Sequence, residues 1–182
     1  MGRLSLSALG ADRPGIVAAL SGVLVDLGCN LEDSTMTNLQ GQFAVLLVVA
    51  APDGVTAEVL ERALGDVARR FDLVVSVRPL GPASDPGERA GLATEGWTIA
   101  VHGADRTGIV RDVTSALAEV GGNVVDLATH LVGERDAPVY VMTLRVTLPS
   151  GPAGDAAAEH VRLAATALNV HCSVHRDEVD VL

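Results

Sequence analysis

An acid, a base and two glycines recur in this chain at fixed spacing. Residues 10–17 read GADRPGIV and residues 103–110 read GADRTGIV, differing only in Pro14 against Thr107. An Asp–Arg couple could do acid–base work, yet a reaction seldom needs its catalytic centre twice in tandem. A turn that holds a ligand at a helix start, by contrast, is copied whenever its domain is copied. The first turn of a helix presents N–H groups without intrahelical partners and the positive end of the helix dipole, which together suit a carboxylate. Gly15 and Gly108 let a backbone or a ligand come close, and Pro14 suits a first helical turn because it has no N–H to leave unpaired. A purely structural reading of the same residues stays open. In it Asp12 and Asp105 are helix caps, Arg13 and Arg106 are surface ion-pair partners, and the glycines serve a tight turn.

Other reactive residues point away from an enzyme. All 13 basic residues are arginine, so Schiff-base chemistry, pyridoxal phosphate attachment and a phosphate-loop lysine are excluded. No GxSxG, GxGxxG or HExxH pattern occurs, which removes the common hydrolase, dinucleotide and zinc-protease signatures. Cys29 and Cys172 fit neither a CxxC nor a zinc-ligand spacing and read as reduced, buried thiols. Of the histidines His102, His130, His160, His171 and His175, the last two share one side of a strand but stand about 13 Å apart along it, too far for one metal. His130, in the place of Thr37, reads as a solvated strand position or an effector contact. No catalytic residue, cofactor or metal site is expected.

The octets belong to a larger repeat. A shift of 93 positions superposes Leu4, Leu6 and Ala8 on Trp97, Ile99 and Val101, each set alternating with polar or small residues as a half-buried strand does. Ile16, Val17, Leu20, Val23, Leu24 and Leu27 then form a helical stripe, refilled by Ile109, Val110, Val113, Ala116, Leu117 and Val120. Gly28 and Gly121 end those helices. Asn30 and Asp33, matched by Asn123 and Asp126, open a second strand, where the asparagines also suit a turn. A hairpin over Leu31 to Ala51 closes at Gly41, and its counterpart carries four more residues in the turn between Val132 and Val139, because Pro52 and Pro149 are offset by 97. A second helix (Thr56 to Phe71, Asp155 to Leu168) and a last strand (Leu73 to Val77, Val170 to Val174) complete each copy.

The order βαββαβ occurs twice, which predicts an α+β protein of two ferredoxin-like domains, each an antiparallel four-stranded sheet with both helices on one face. The expected boundaries are 1–80, a Gly- and Pro-rich linker at 81–96, and 97–182. One face of each sheet then lacks cover, and the apolar run Phe43 to Ala51 suggests that the copies pack together and that the molecule forms homo-oligomers; two independently tethered domains are the alternative. A hydrophobic content of 48% provides for a core. No apolar run is long enough to span a bilayer, and Asp12, Arg13 and Pro14 interrupt the N-terminal one, so neither a membrane nor a signal peptide is indicated and a cytoplasmic location is expected. A net charge of −10 with four aromatic residues disfavours direct contact with nucleic acid.

A strand, a D-R-x-G-I-V turn into a helix and L-G-x-N at its exit resemble the ACT domain, a small regulatory module that binds amino acids; the likeness covers both copies. A pair of such domains standing alone resembles the glycine cleavage system transcriptional repressor family. The turn is also similar to that in the regulatory part of formyltetrahydrofolate deformylase, although no stretch of these 182 residues is left for its formyltransferase domain. The resemblance implies a non-catalytic sensor of a small amino acid, glycine or serine, acting through a partner protein. Its effector site would lie between the strand-to-helix turn of one domain and the second strand of a neighbour: Asp12, Gly15, Ile16, Asn30 and Asp33, with Asp105, Gly108, Ile109, Asn123 and Asp126 in the second copy. Thr107 in place of Pro14 leaves open whether both copies bind. Two other readings remain, a ligand-free interaction module and a detached regulatory subunit of a folate or amino-acid enzyme.

Overall fold

A computed structural model describes residues 2–81, 94–133 and 138–177. The chain divides into two compact units, Met1–Ser84 and Asp85–Leu182. Unit 1 runs β1 (Gly2–Ala11), α1 (Ile16–Asp26), β2 (Asn30–Leu39), β3 (Gln42–Ala51), α2 (Ala57–Ala63), α3 (Gly65–Phe71) and β4 (Val74–Leu80). Unit 2 repeats it with β5 (Thr94–Ala104), α4 (Ile109–Glu119), β6 (Asn123–Val132), β7 (Val139–Pro149), α5 (Pro152–Ala167) and β8 (His171–Arg176). The strand orders are β2-β3-β1-β4 and β6-β7-β5-β8, every pairing antiparallel. The linker expected at 81–96 lies largely outside the described residues, and β5 opens inside it at Thr94.

Alternation sorts the strands into two faces. In β3, Phe43, Val45, Leu47, Val49 and Ala51 are buried under the helices with Leu4, Leu6, Leu20, Leu24 and Leu60. Leu46, on the other face, is 46% exposed. Unit 2 builds its core in the same way from Trp97, Ile99, Val101, Leu117, Met142, Leu144 and Val161. Helices α1 and α4 end alike: the Cys29 N–H donates to the Leu24 carbonyl and the Gly122 N–H to the Leu117 carbonyl, both 2.8 Å. Gly28 and Gly121 supply the left-handed residue this closure requires, at φ 67° and 73°.

Three local expectations are refined. The helix expected over Thr56 to Phe71 divides at Leu64, where Gly65, a poor helix former, begins the second piece. Helix α5 starts at Pro152, ahead of Asp155, because proline fits a first turn. Pro14 precedes the helix instead of opening it, since Gly15 is the N-cap of α1. The two hairpins differ in length as expected: residues 40–41 join β2 to β3, whereas residues 133–138 join β6 to β7, of which 134–137 lie outside the described residues. Among the described residues, no helix is long and apolar enough to cross a membrane.

Candidate functional site

Both octets fold into the same turn. Gly15 and Gly108 are N-caps in a left-handed conformation, φ 94° and 99°, and neither helix receives a side-chain cap. The first intrahelical bonds are Ala19 N–H to Gly15 carbonyl and Asp112 N–H to Gly108 carbonyl, both 2.9 Å. Among the described residues, no acceptor meets the N–H groups of Val17 and Ala18, nor those of Ile109, Val110 and Arg111. Such groups are donors awaiting an acceptor or solvent. The side chains of Ile16 and Ile109 turn into the core, 1% and 2% exposed, so what these two residues offer a ligand is backbone.

The acid of the first turn has a partner that sequence reasoning missed. Asn38 Nδ2 donates to Asp12 Oδ2 at 2.6 Å, its Oδ1 accepts from the Gly41 N–H at 3.2 Å, and the Asp12 N–H donates to the Gly41 carbonyl at 2.9 Å. These three bonds clasp the β1–α1 turn to the tip of the β2–β3 hairpin, and Asp12 is therefore not a helix cap. In unit 2 the register puts Leu131 in the place of Asn38, since Leu131 opposes Tyr140 as Asn38 opposes Phe43. Asn38→Leu is expected to open the clasp and cost about 1 kcal/mol of unit 1 stability, read as a lower far-UV circular dichroism midpoint in urea.

The exchange of Phe43 for Tyr140 changes the second turn further. Phe43 is fully buried, whereas Tyr140 is half-buried and lines a cleft of about 550 Å³ with Arg106, Gly108, Ile109, Val110 and Arg111. Burial raises the Tyr140 phenol above its ordinary value; the Thr129 hydroxyl works against that shift and the Asp105 carboxylate adds to it. The phenol is thus held protonated, as a donor. Arg111 pairs with Asp112 at 2.6 Å, which raises its guanidinium, while Arg106 is exposed. The residues of three helix N–H groups without acceptors, two arginines, of which Arg111 is already paired with Asp112, and a phenol thus border one cleft, a set suited to a carboxylate. Unit 1 has a smaller, mostly apolar groove of about 150 Å³ at a different place, along α1 against Leu31, Ser34 and Met36 of β2.

The second-strand residues lie elsewhere within each unit. Strands β1 and β2 both run antiparallel to β3, so the turn after β1 neighbours Asn38 and Leu39, at the far end of β2 from Asn30. About 25 Å of strand separates Asn30 from Asn38. Asn30, Asp33, Asn123 and Asp126 are exposed on the outer edge strands, and each pair flanks a bulge, at Leu31/Asp33 and at Val124/Asp126. Asp33 Oδ1 accepts from the Ser34 N–H at 2.8 Å. No single unit joins Asp12 and Gly15 to Asn30 and Asp33. Elsewhere, burial raises the Cys29 and Cys172 thiols, favouring the unreactive protonated form.

Comparison with known proteins matches this architecture. The ACT domain family model matches residues 3–78. The chain is 24% identical over 175 residues to the glycine cleavage system transcriptional repressor of Escherichia coli, covering 94% of this chain and 88% of the relative. It is 31% identical over 74 residues to a UPF0237 protein of Corynebacterium diphtheriae, covering 40% of this chain and 83% of that protein. The crystal structure of an unknown protein from Galdieria sulphuraria superposes with a TM-score of 0.81 at 25% identity, over 97% of this chain and 99% of that one. That of a candidate glycine cleavage system transcriptional repressor gives 0.69 at 18% identity, over 97% and 98%, a likeness of fold. Residues 3–78 are an ACT domain by the family model, and the second unit repeats its βαββαβ order and antiparallel sheet, so the chain is a tandem pair of α+β ACT-type domains, similar over most of its length to the glycine cleavage repressor.

Proposed function

We propose that this protein is a non-catalytic, cytoplasmic sensor of a small amino acid, glycine or serine, and that occupancy is relayed by a change in how its domains or chains associate. The observation that carries the reading is the N-terminus of α4, where Ile109, Val110 and Arg111, whose N–H groups lack an acceptor among the described residues, line a cleft with Arg106 and Tyr140. The ligand carboxylate sits there. Its ammonium group requires an acid or an amide, which Asn30 and Asp33, or Asn123 and Asp126, supply from the edge strand of a second copy of the chain. Gly15 and Asp12 form the equivalent half-site in unit 1.

A site completed only by a neighbour couples ligand to assembly, because the ligand then binds the associated arrangement better than the separated one. Ten exposed residues in β2, an edge strand, leave its backbone open to such pairing. With a charge of −10 and no basic recognition element, control of transcription passes through a partner protein. Isothermal titration with glycine and with serine, alongside sedimentation at saturating ligand, tests both halves. Binding with a change in association is expected; binding with unchanged stoichiometry and an unchanged scattering profile would contradict the relay.

A second reading draws on the Asp12–Asn38–Gly41 clasp, which occupies the acid of the first turn with structural work. On that reading unit 1 is a ligand-free interaction module. Loss of binding in Asp12→Ala without loss of fold would count against it.

A further inference from the structure

The outer face of the unit 2 sheet carries a row that crosses all four strands. His130 of β6, Val141 of β7, His102 of β5 and His171 of β8 occupy successive opposed positions. His102 and His171 face each other directly, ring centroids 4.5 Å apart and planes inclined at 45°. Both are exposed, and among the described residues neither ring has a hydrogen-bond or ion-pair partner. Two imidazoles side by side on directly paired strands bring two nitrogen ligands together without any backbone rearrangement.

We propose that His102 and His171 chelate one late first-row divalent cation, of the nickel, copper or zinc class. Imidazole nitrogen binds these ions at about 2.0–2.1 Å and suits them far better than magnesium or calcium, which take oxygen ligands. Neighbouring strands lie about 4.8 Å apart, so one ion can sit between the two rings once they turn about their terminal side-chain torsions. His130 stands two strands from His102, roughly 10 Å away, and is not a third ligand. Among the described residues no group of three or more His, Cys, Asp or Glu side chains could hold a metal. The site is a two-ligand chelate whose remaining positions are filled by water or by donors from outside the unit. It lies on the face opposite the helices and is independent of the amino-acid reading.

Titration calorimetry with nickel chloride on tag-free, chelator-treated full-length protein tests the proposal, with magnesium chloride as the control ion. One saturable equivalent per chain is expected with nickel and none with magnesium. His102→Ala and His171→Ala should each abolish the isotherm. His160→Ala, in α5 and paired with Glu119 at 3.1 Å, should leave it intact. Circular dichroism confirms that each variant is folded, which these exposed positions favour. An isotherm that survives both substitutions, or no nickel heat in the parent protein, would overturn the assignment.

Discussion

Leu144→Ala is expected to destabilise unit 2 by about 2–5 kcal/mol. Leu144 is central to β7 and 0% exposed, opposed by Ile99 of β5 on one side and Leu127 of β6 on the other. Removing its branched end leaves a cavity that strands held in register by two ladders cannot close, and the lost apolar transfer energy adds to the cavity term. Trp97 belongs to the same buried cluster and is the single tryptophan of the chain. Its ring is 4% exposed with the Arg176 guanidinium 5.0 Å from its centroid, so unfolding exposes it to water. The urea midpoint read by its fluorescence should fall substantially. An unchanged midpoint would mean that Leu144 is not packed as described.

Arg106→Glu is expected to weaken binding of the effector by about ten- to hundredfold, the value of a lost charge-assisted contact of about 1.5–3 kcal/mol. The substitution keeps the turn, because Gly108 supplies its left-handed residue, but places a second negative charge beside the carboxylate the cleft is proposed to hold. Arg106 is exposed, and folding stability should change by less than about 0.5 kcal/mol. Titration calorimetry reads the affinity, and Arg13→Glu in unit 1 is the informative comparison. A larger loss from Arg13→Glu than from Arg106→Glu would assign the effector to unit 1.

Much of the fold was legible because the chain states it twice. Leu4, Leu6 and Ala8 alternate as their partners Trp97, Ile99 and Val101 do, and a helical stripe ending at Gly28 returns ending at Gly121. What stayed hidden depends on register between strands. The four-residue enlargement of the second hairpin changes the offset from 93 to 97, which conceals that Tyr140 stands where Phe43 does. The partnership of Asn38 with Asp12, across 26 positions of sequence, likewise comes from the hairpin tip folding back on the first turn. Along its own strand His171 shares a side with His175, whereas the side chain it meets is His102 on the adjacent strand. Periodicity identifies which face of a strand is buried; only pairing identifies which side chains meet.

Helix breaks escaped for a related reason. The stripe Leu60, Leu64, Val67 and Phe71 remains continuous across the division at Leu64, because both pieces bury the same side against the sheet. The candidate effector residues were individually visible as an octet and a following Asn and Asp. Their separation by the length of β2 was not, since it follows from strand direction.

If the paired turns hold a free amino acid, that ligand must stabilise the folded protein. Thermal unfolding with each common amino acid in turn, read by far-UV circular dichroism for both units and by Trp97 fluorescence for unit 2, is the test. A ligand at a hundred times its dissociation constant should add about 2.7 kcal/mol to the stability of the unit that binds it, a shift of several degrees for a domain of this size. Such a shift is expected with glycine, serine or a close relative, and a shift at most about half as large in Arg106→Glu at the same ligand concentration. No shift with any amino acid, at concentrations where the protein is fully associated, would contradict the amino-acid reading.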